Sequence, residues 1–130
     1  MPKYDDVKDS GKRQEFGTGS RRDTQEGKGR PSLISPHGLW RLARHYESGA
    51  KKYGDHNWAK GQPVSRYLDS IFRHLIKYLG GARDEDHLAA IAWNAMAIID
   101  HEERIERGLL DESLNDVKDW PKSFVVGEDL

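Results

Sequence analysis

The residues able to do chemistry in this chain fall in four short stretches: Glu47-Ser-Gly-Ala-Lys-Lys-Tyr-Gly-Asp-His-Asn-Trp58, Arg73-His74, Asp84-Glu-Asp-His87 and Asn94. Their types suit metal-assisted phosphoryl chemistry. Carboxylate oxygens match hard divalent ions such as Mg²⁺ or Mn²⁺, imidazole is better tolerated by Mn²⁺, and a triphosphate brings further oxygen ligands of its own. Carboxylates on facing helices can hold such ions where they neutralise phosphate charge and activate a water. Lys51, Lys52 and Arg73 would balance the remaining charge, and no P-loop motif offers another phosphate cradle. Tyr53, Asn57 and Trp58 supply a stacking surface and base-edge hydrogen bonds.

Each of these groups also has a purely structural use. Glu47 and Lys51 are four residues apart, as are Asp69 and Arg73, and such pairs on an exposed helix face contribute only a few tenths of a kcal/mol, about 0.2–0.5. One of Asp84, Glu85 and Asp86 can cap a helix, although a cap does not need three. His74 flanks an apolar stripe, where a lone histidine is more often a satisfied structural residue than a ligand. Asn94 interrupts an apolar run. A buried amide without partners costs about 1–3 kcal/mol, so Asn94 either bridges helices or points into a site. His87, seven residues earlier, lies on nearly the same face.

The elements that position these groups read as helices. Ser35-Pro36 is a capping residue followed by a proline suited to the first helical position, and Leu39, Leu42, Ala43, Tyr46 and Ala50 recur at three- and four-residue steps up to about Lys52. Tyr53-Gly54-Asp55 then stops the helix. A second helix from about Ser65 carries Leu68, Ile71, Phe72, Leu75, Ile76 and Leu79 as one stripe and ends at Gly80-Gly81. A third begins near Asp84 to Asp86 and runs to about Arg107. Eleven of the twelve residues from Leu88 to Ile99 are apolar, which predicts a helix covered nearly all round, either central in a bundle or part of a subunit interface. No strand alternation stands out, so the expected class is all-α.

Composition bounds the rest. At 130 residues the chain is one domain by length, and 21 Lys+Arg against 22 Asp+Glu give no global electrostatic case for a nucleic-acid binder. The absence of cysteine removes disulfides, thiolate zinc sites and a thiol nucleophile. No apolar run reaches the roughly 20 residues that span a bilayer, and no signal-peptide core is evident, so a soluble cytoplasmic protein is expected. Residues 1–29 form a polar arm unable to bury enough surface to fold alone, residues 30–108 hold the helical core, and residues 109–130 form an acidic tail. Within that tail Leu109, Leu110, Leu114, Trp120, Phe124 and Val125 are candidates to dock.

Several of these stretches also carry a resemblance. Arg30-Pro-Ser-Leu-Ile34, Glu47-x-Gly-Ala-Lys51-x-Tyr-Gly54, Asn57-Trp58, Gly61-x-Pro63, Asp69-Ser70, Arg73-His74 and His87-Leu-Ala with Trp93-Asn94 make residues 28 to 105 similar to the phage dATP/dGTP diphosphohydrolase family. That family belongs to the wider MazG-like all-α nucleotide pyrophosphohydrolases and includes the MazZ enzymes of phages that replace adenine by 2-aminoadenine. The resemblance implies a bundle of four to five helices, a homodimer or homotetramer, Mg²⁺ or Mn²⁺ as cofactor, and hydrolysis of a purine nucleoside triphosphate, dGTP or GTP foremost, to monophosphate and pyrophosphate. No membrane or nucleic-acid partner is expected.

By the same resemblance Glu47 is the foremost metal ligand, followed by Asp86 and His87, and Glu47 and Asp86 are the catalytic carboxylates. Arg30, Lys51, Tyr53, Asn57, Trp58, Arg73, His74 and Asn94 are the substrate-binding candidates, with Arg30 placed to reach the triphosphate of a neighbouring subunit. MazG relatives carry Glu-x-x-Glu and Glu-x-x-Asp pairs. This chain offers instead Glu47 with Lys51, Arg73-His74, and His87-x-x-Ala90, so a second ion would rely on Asp86, Asp69, His74 or the substrate. Two other classes remain open: a non-catalytic nucleotide-binding dimer, and a nucleic-acid accessory protein using Lys12-Arg13, Arg21-Arg22 and Lys28-x-Arg30, although acidic residues offset those positives.

Overall fold

Each helix starts and stops where a local signal dictates. In the computed structural model, which describes residues 5–121, Ser35 caps α1 (Pro36–Tyr53) by accepting the Gly38 N–H at 3.1 Å. Gly54 ends it at a φ of 90°, a conformation that only glycine adopts without strain, with its N–H bonded to the Ala50 carbonyl. A 3-10 turn (Asn57–Lys60) and Gly61 lead into α2 (Val64–Leu79), which stops at Gly80. Asp86 caps α3 (His87–Glu106), accepting the Ala89 N–H at 3.0 Å. These bounds lie within three residues of those expected.

α2 packs along α3, and α1 packs on α3 as well. Contacts of Tyr67 with His101 and of His74 with His87 set α2 and α3 antiparallel. Three alanines, Ala89, Ala90 and Ala97, are buried on α3, where small side chains leave room for rings. Among the described residues the fully buried large side chains are Tyr67, His87 and His101. Asn94, also buried, donates to the Ala90 carbonyl at 2.7 Å and to the Ser70 hydroxyl at 3.3 Å, which is the bridging use of that amide. Among the described residues no buried side-chain polar atom lacks a partner.

The α2 stripe faces the other way from what its apolarity suggests. Phe72, Ile76 and Leu79 are 60%, 68% and 76% exposed, while Tyr67, Ser70 and His74 turn inward. α3 is likewise covered on two sides and open on a third, where Leu88, Met96 and Ile99 are exposed. The described residues hold three α-helices, where the resemblance implies four or five. Leu110 and Leu114 dock against Gly61, and Asp116 accepts from the Ser65 backbone and hydroxyl. Leu109 and Trp120 stay largely exposed, and Phe124 and Val125 lie outside the described residues.

The chain divides into two compact units between Ile34 and Ser35. The first corrects the expectation of no strands: β1 (Arg13–Glu15) pairs antiparallel with β2 (Arg21–Asp23). Polar cross-links hold this hairpin. Arg13 forks onto Asp9 at 2.7 and 2.8 Å, while Asp23 accepts from Ser10 and from Lys28. No buried apolar face accompanies it, which is why alternation gave no sign of it. Arg30 precedes a 3-10 turn (Pro31–Leu33) in the same unit. No described helix is long and apolar enough to cross a membrane.

Candidate active site

The C-terminal half of α1, the loop after it, α2 and α3 enclose a cavity of about 660 Å³, within the size range of small-molecule sites. Its wall is aromatic. Tyr46 stands edge-on to Trp58 at 6.1 Å between ring centroids, Trp93 lies 6.0 Å from Tyr46, and Tyr67 lies 5.9 Å from Trp93. Burial pushes the Tyr67 phenol up to about 12, so it stays protonated and hydrogen-bonding. Lys52 and Arg66 bring positive charge to the lining, and Asn57, Ser70 and Asn94 bring amide and hydroxyl groups. Rings, amides and cations together match a ligand with a flat heterocycle and an anionic tail.

His74 belongs both to this wall and to a cluster with Glu85 and His87. One ligand atom from each of the three lies within 4.8 Å of the others. His87 Nε2 is 2.9 Å from Asp84 Oδ1, and a carboxylate can only accept, so the His87 proton sits on Nε2. Its Nδ1 therefore presents a lone pair to His74 Nδ1, 2.9 Å away. A carboxylate holding the far nitrogen of a buried imidazole is the arrangement that orients metal-binding histidines. Burial lowers the His74 pKa, with Glu85 opposing the shift, so the ring favours its neutral form. Two imidazole nitrogens and one carboxylate oxygen fit a divalent ion that tolerates nitrogen, as Mn²⁺ does better than Mg²⁺.

The expected site residues divide by place. Glu47, Tyr53, Asn57, Trp58, His74 and Asn94 line the cavity, and His87 touches His74 behind it. Glu47 is exposed, with Lys51 Nζ 3.6 Å from its carboxylate. Lys51 and Arg73 do not line the cavity; Lys52 and Arg66 do. Asp86 is engaged elsewhere: besides capping α3 it accepts a forked pair from Arg41 at 2.6 and 2.7 Å, and this guanidinium holds its carboxyl at a pKa of about 2. It is neither in the cluster nor on the cavity wall. Arg30 lies in the first unit.

Sequence reading passed over Glu85, Tyr46, Tyr67, Trp93 and Arg66. Glu85 was counted among three candidate caps, and only the surplus of carboxylates hinted at another use. Tyr46 falls on the apolar stripe of α1 and Trp93 in the apolar run of α3, so both read as core, and Tyr67 and Arg66 carry no local signal.

Residues 18–112, which carry this cavity and cluster, match the family model described as dATP/dGTP diphosphohydrolase, N-terminal. The chain belongs to that family. No curated protein and no solved structure matches it. The diphosphohydrolase match takes in α1, α2 and α3 entire, and with them every cavity-lining residue and the His74, Glu85, His87 cluster. It extends beyond the 28 to 105 span carried by the recognisable motifs, starting within the hairpin turn and ending at Glu112.

Proposed function

We propose that the protein is a metal-dependent nucleoside triphosphate pyrophosphohydrolase. It converts a purine ribo- or deoxyribonucleoside triphosphate, dGTP or GTP foremost, to the monophosphate and pyrophosphate. The observation that carries this reading is the sharing of His74 between an aromatic cavity of nucleotide size and a histidine and carboxylate cluster. Membership of a diphosphohydrolase family supports it from a separate direction.

In this reading the base lies among Tyr46, Trp58 and Trp93, with Asn57 and Asn94 in reach of its edge. Lys52 and Arg66 hold the phosphates by charge-assisted hydrogen bonds. His74, Glu85 and His87 would hold Mn²⁺ or Mg²⁺, which when bound supplies charge neutralisation to the phosphates and acidity to water. Glu47, on the cavity wall, orients the attacking water or completes the ligand set. Water adds at the α-phosphorus and gives up a proton to solvent, the α–β phosphoanhydride bond breaks, and the electron pair leaves with pyrophosphate. Asp86 acts from outside, as the cap that fixes the start of α3 beneath His87. A dGMP product would suit a phage that makes 2-aminoadenine nucleotides.

The exposed stripe of Phe72, Ile76 and Leu79 on α2, with Leu88 and Ile99 on α3, supports a homodimer or homotetramer. Anion-exchange analysis after incubation with dGTP, GTP, dATP or dCTP, in Mg²⁺, Mn²⁺ or EDTA, tests the reaction. Metal-dependent monophosphate with pyrophosphate is expected. Intact nucleotides throughout would sink the enzyme reading and leave a nucleotide-binding module.

A further inference from the structure

Behind the cavity wall, one edge of α3 grips the loop that carries Trp58. We propose that Asp100, His101 and Arg104 form a clamp that sets the position of Trp58, and that they are positioning residues for nucleotide binding; this rests on the reading of the cavity given above. His101 is fully buried. Its Nδ1 lies 3.2 Å from Asp100 Oδ2, so the proton belongs on Nδ1, and its Nε2 lone pair faces the Gln62 backbone N–H at 3.1 Å and the Tyr67 hydroxyl at 3.2 Å. The same Asp100 oxygen accepts from Arg104 Nε at 2.9 Å, and Arg104 Nη2 donates to the Ala59 carbonyl at 2.8 Å.

One carboxylate oxygen thus orients two side chains that hold the loop at two places, one residue and four residues beyond Trp58. The Arg104 guanidinium also stands 6.0 Å from the Trp58 ring centre. A loop that only needed anchoring could be pinned by apolar contact, as Gly61 already is by Leu110 and Leu114. Hydrogen bonds of fixed direction add something an apolar contact lacks: they define where the ring and the adjoining backbone point. Three clamped residues, Trp58, Gln62 and Tyr67, line the cavity themselves. Trp58 also stands beside the rings of Tyr46 and His56, and His56 has a positive φ of 60°, unusual for a residue other than glycine.

The test compares wild type, Asp100→Asn and Arg104→Lys, each alone and combined with Trp58→Ala. KM for the preferred nucleotide should rise about tenfold in either clamp variant, the size expected from losing a charge-assisted hydrogen bond, with kcat nearly unchanged. In the Trp58→Ala background the clamp variants should have little further effect, because both act through one ring. Amide exchange of residues 57–62 should quicken relative to the rest of the chain. Unchanged KM, KM effects that multiply with Trp58→Ala, or faster loop exchange with KM unmoved would each overturn the proposal. Should Asp100→Asn fail to fold, Arg104→Lys, which keeps the charge but not the fork, carries the same comparison. A wild-type protein that turns over no nucleotide refutes the parent reading instead, and the same comparison is then made on the Kd of dGTP: a rise of about tenfold in the clamp variants that vanishes in the Trp58→Ala background upholds the clamp, and an unchanged Kd or no measurable binding ends it.

Discussion

His87 shows how one buried side chain can be fully satisfied and still available. Asp84 accepts a hydrogen bond from its Nε2–H, and the remaining lone pair, on Nδ1, faces His74. Asp84 is 70% exposed, so as a structural partner alone it would be worth little. Under the proposed metal role of His87 it would matter more, because it fixes the ring's tautomer: Asp84→Ala should weaken Mn²⁺ binding by about tenfold or more in calorimetry. Because His74 and His87 must both be neutral to ligate, Mn²⁺ affinity should fall as pH drops. For His74 the fall begins below its ordinary value of 6.5, since burial has moved its pKa down. Glu47→Gln should abolish turnover while circular dichroism shows helicity intact; a fully active variant removes Glu47 from the site. Asp86→Ala should instead cost about 1–2 kcal/mol of stability in urea unfolding through the lost cap. Its folded pKa of about 2 lies below the ordinary 3.8, so its contribution is complete above about pH 4 and is lost as pH falls toward 2.

At the scale of the element, helix limits were legible because each has a local chemical cause. Ser35-Pro36, Gly54, Gly80 and Asp86 act on their own neighbours, and no tertiary knowledge is needed to see them. The face that α2 turns inward was not legible. Hydropathy favours burying Phe72, Ile76 and Leu79, yet the fold buries the side bearing Tyr67, Ser70 and His74, whose partners on α3 are polar. Periodicity located the stripe and could not say whether its partner belongs to the same chain. The β1 and β2 hairpin was invisible for a related reason, since Asp9, Ser10 and Asp23 stabilise it through side-chain hydrogen bonds that leave no apolar alternation. Gly61 is the loop position where local and tertiary demands coincide. Its φ is 100°, and an added Cβ would come within 2.8 Å of Leu114 Cδ1. Gly61→Ala should cost about 1–3 kcal/mol, read as a lower midpoint in thermal unfolding.

For the molecule as a whole, what lies in order along the chain was more legible than what the fold brings together. The motifs that mark Glu47, Asn57, Trp58, His74 and His87 lie on the chain in order, whereas the pairing of His74 with Glu85, or of Trp58 with Arg104, exists only after α2 and α3 pack. The exposed apolar stripe makes its own prediction. Ile76→Glu should shift the protein to a smaller species in sedimentation velocity while leaving the fold intact; an unchanged sedimentation coefficient would remove this face as the contact between copies.

The layer between α2 and α3 is built largely of alanines, imidazoles, a phenol and an amide. Heat capacity of unfolding comes mainly from apolar surface newly wetted, while polar surface lowers it. Calorimetry on the dissociated chain should therefore give a value per residue under the usual ~12–15 cal/mol/K, and a stability curve flatter with temperature than that of an oil-filled bundle of equal length. Cooling would take little from such a protein.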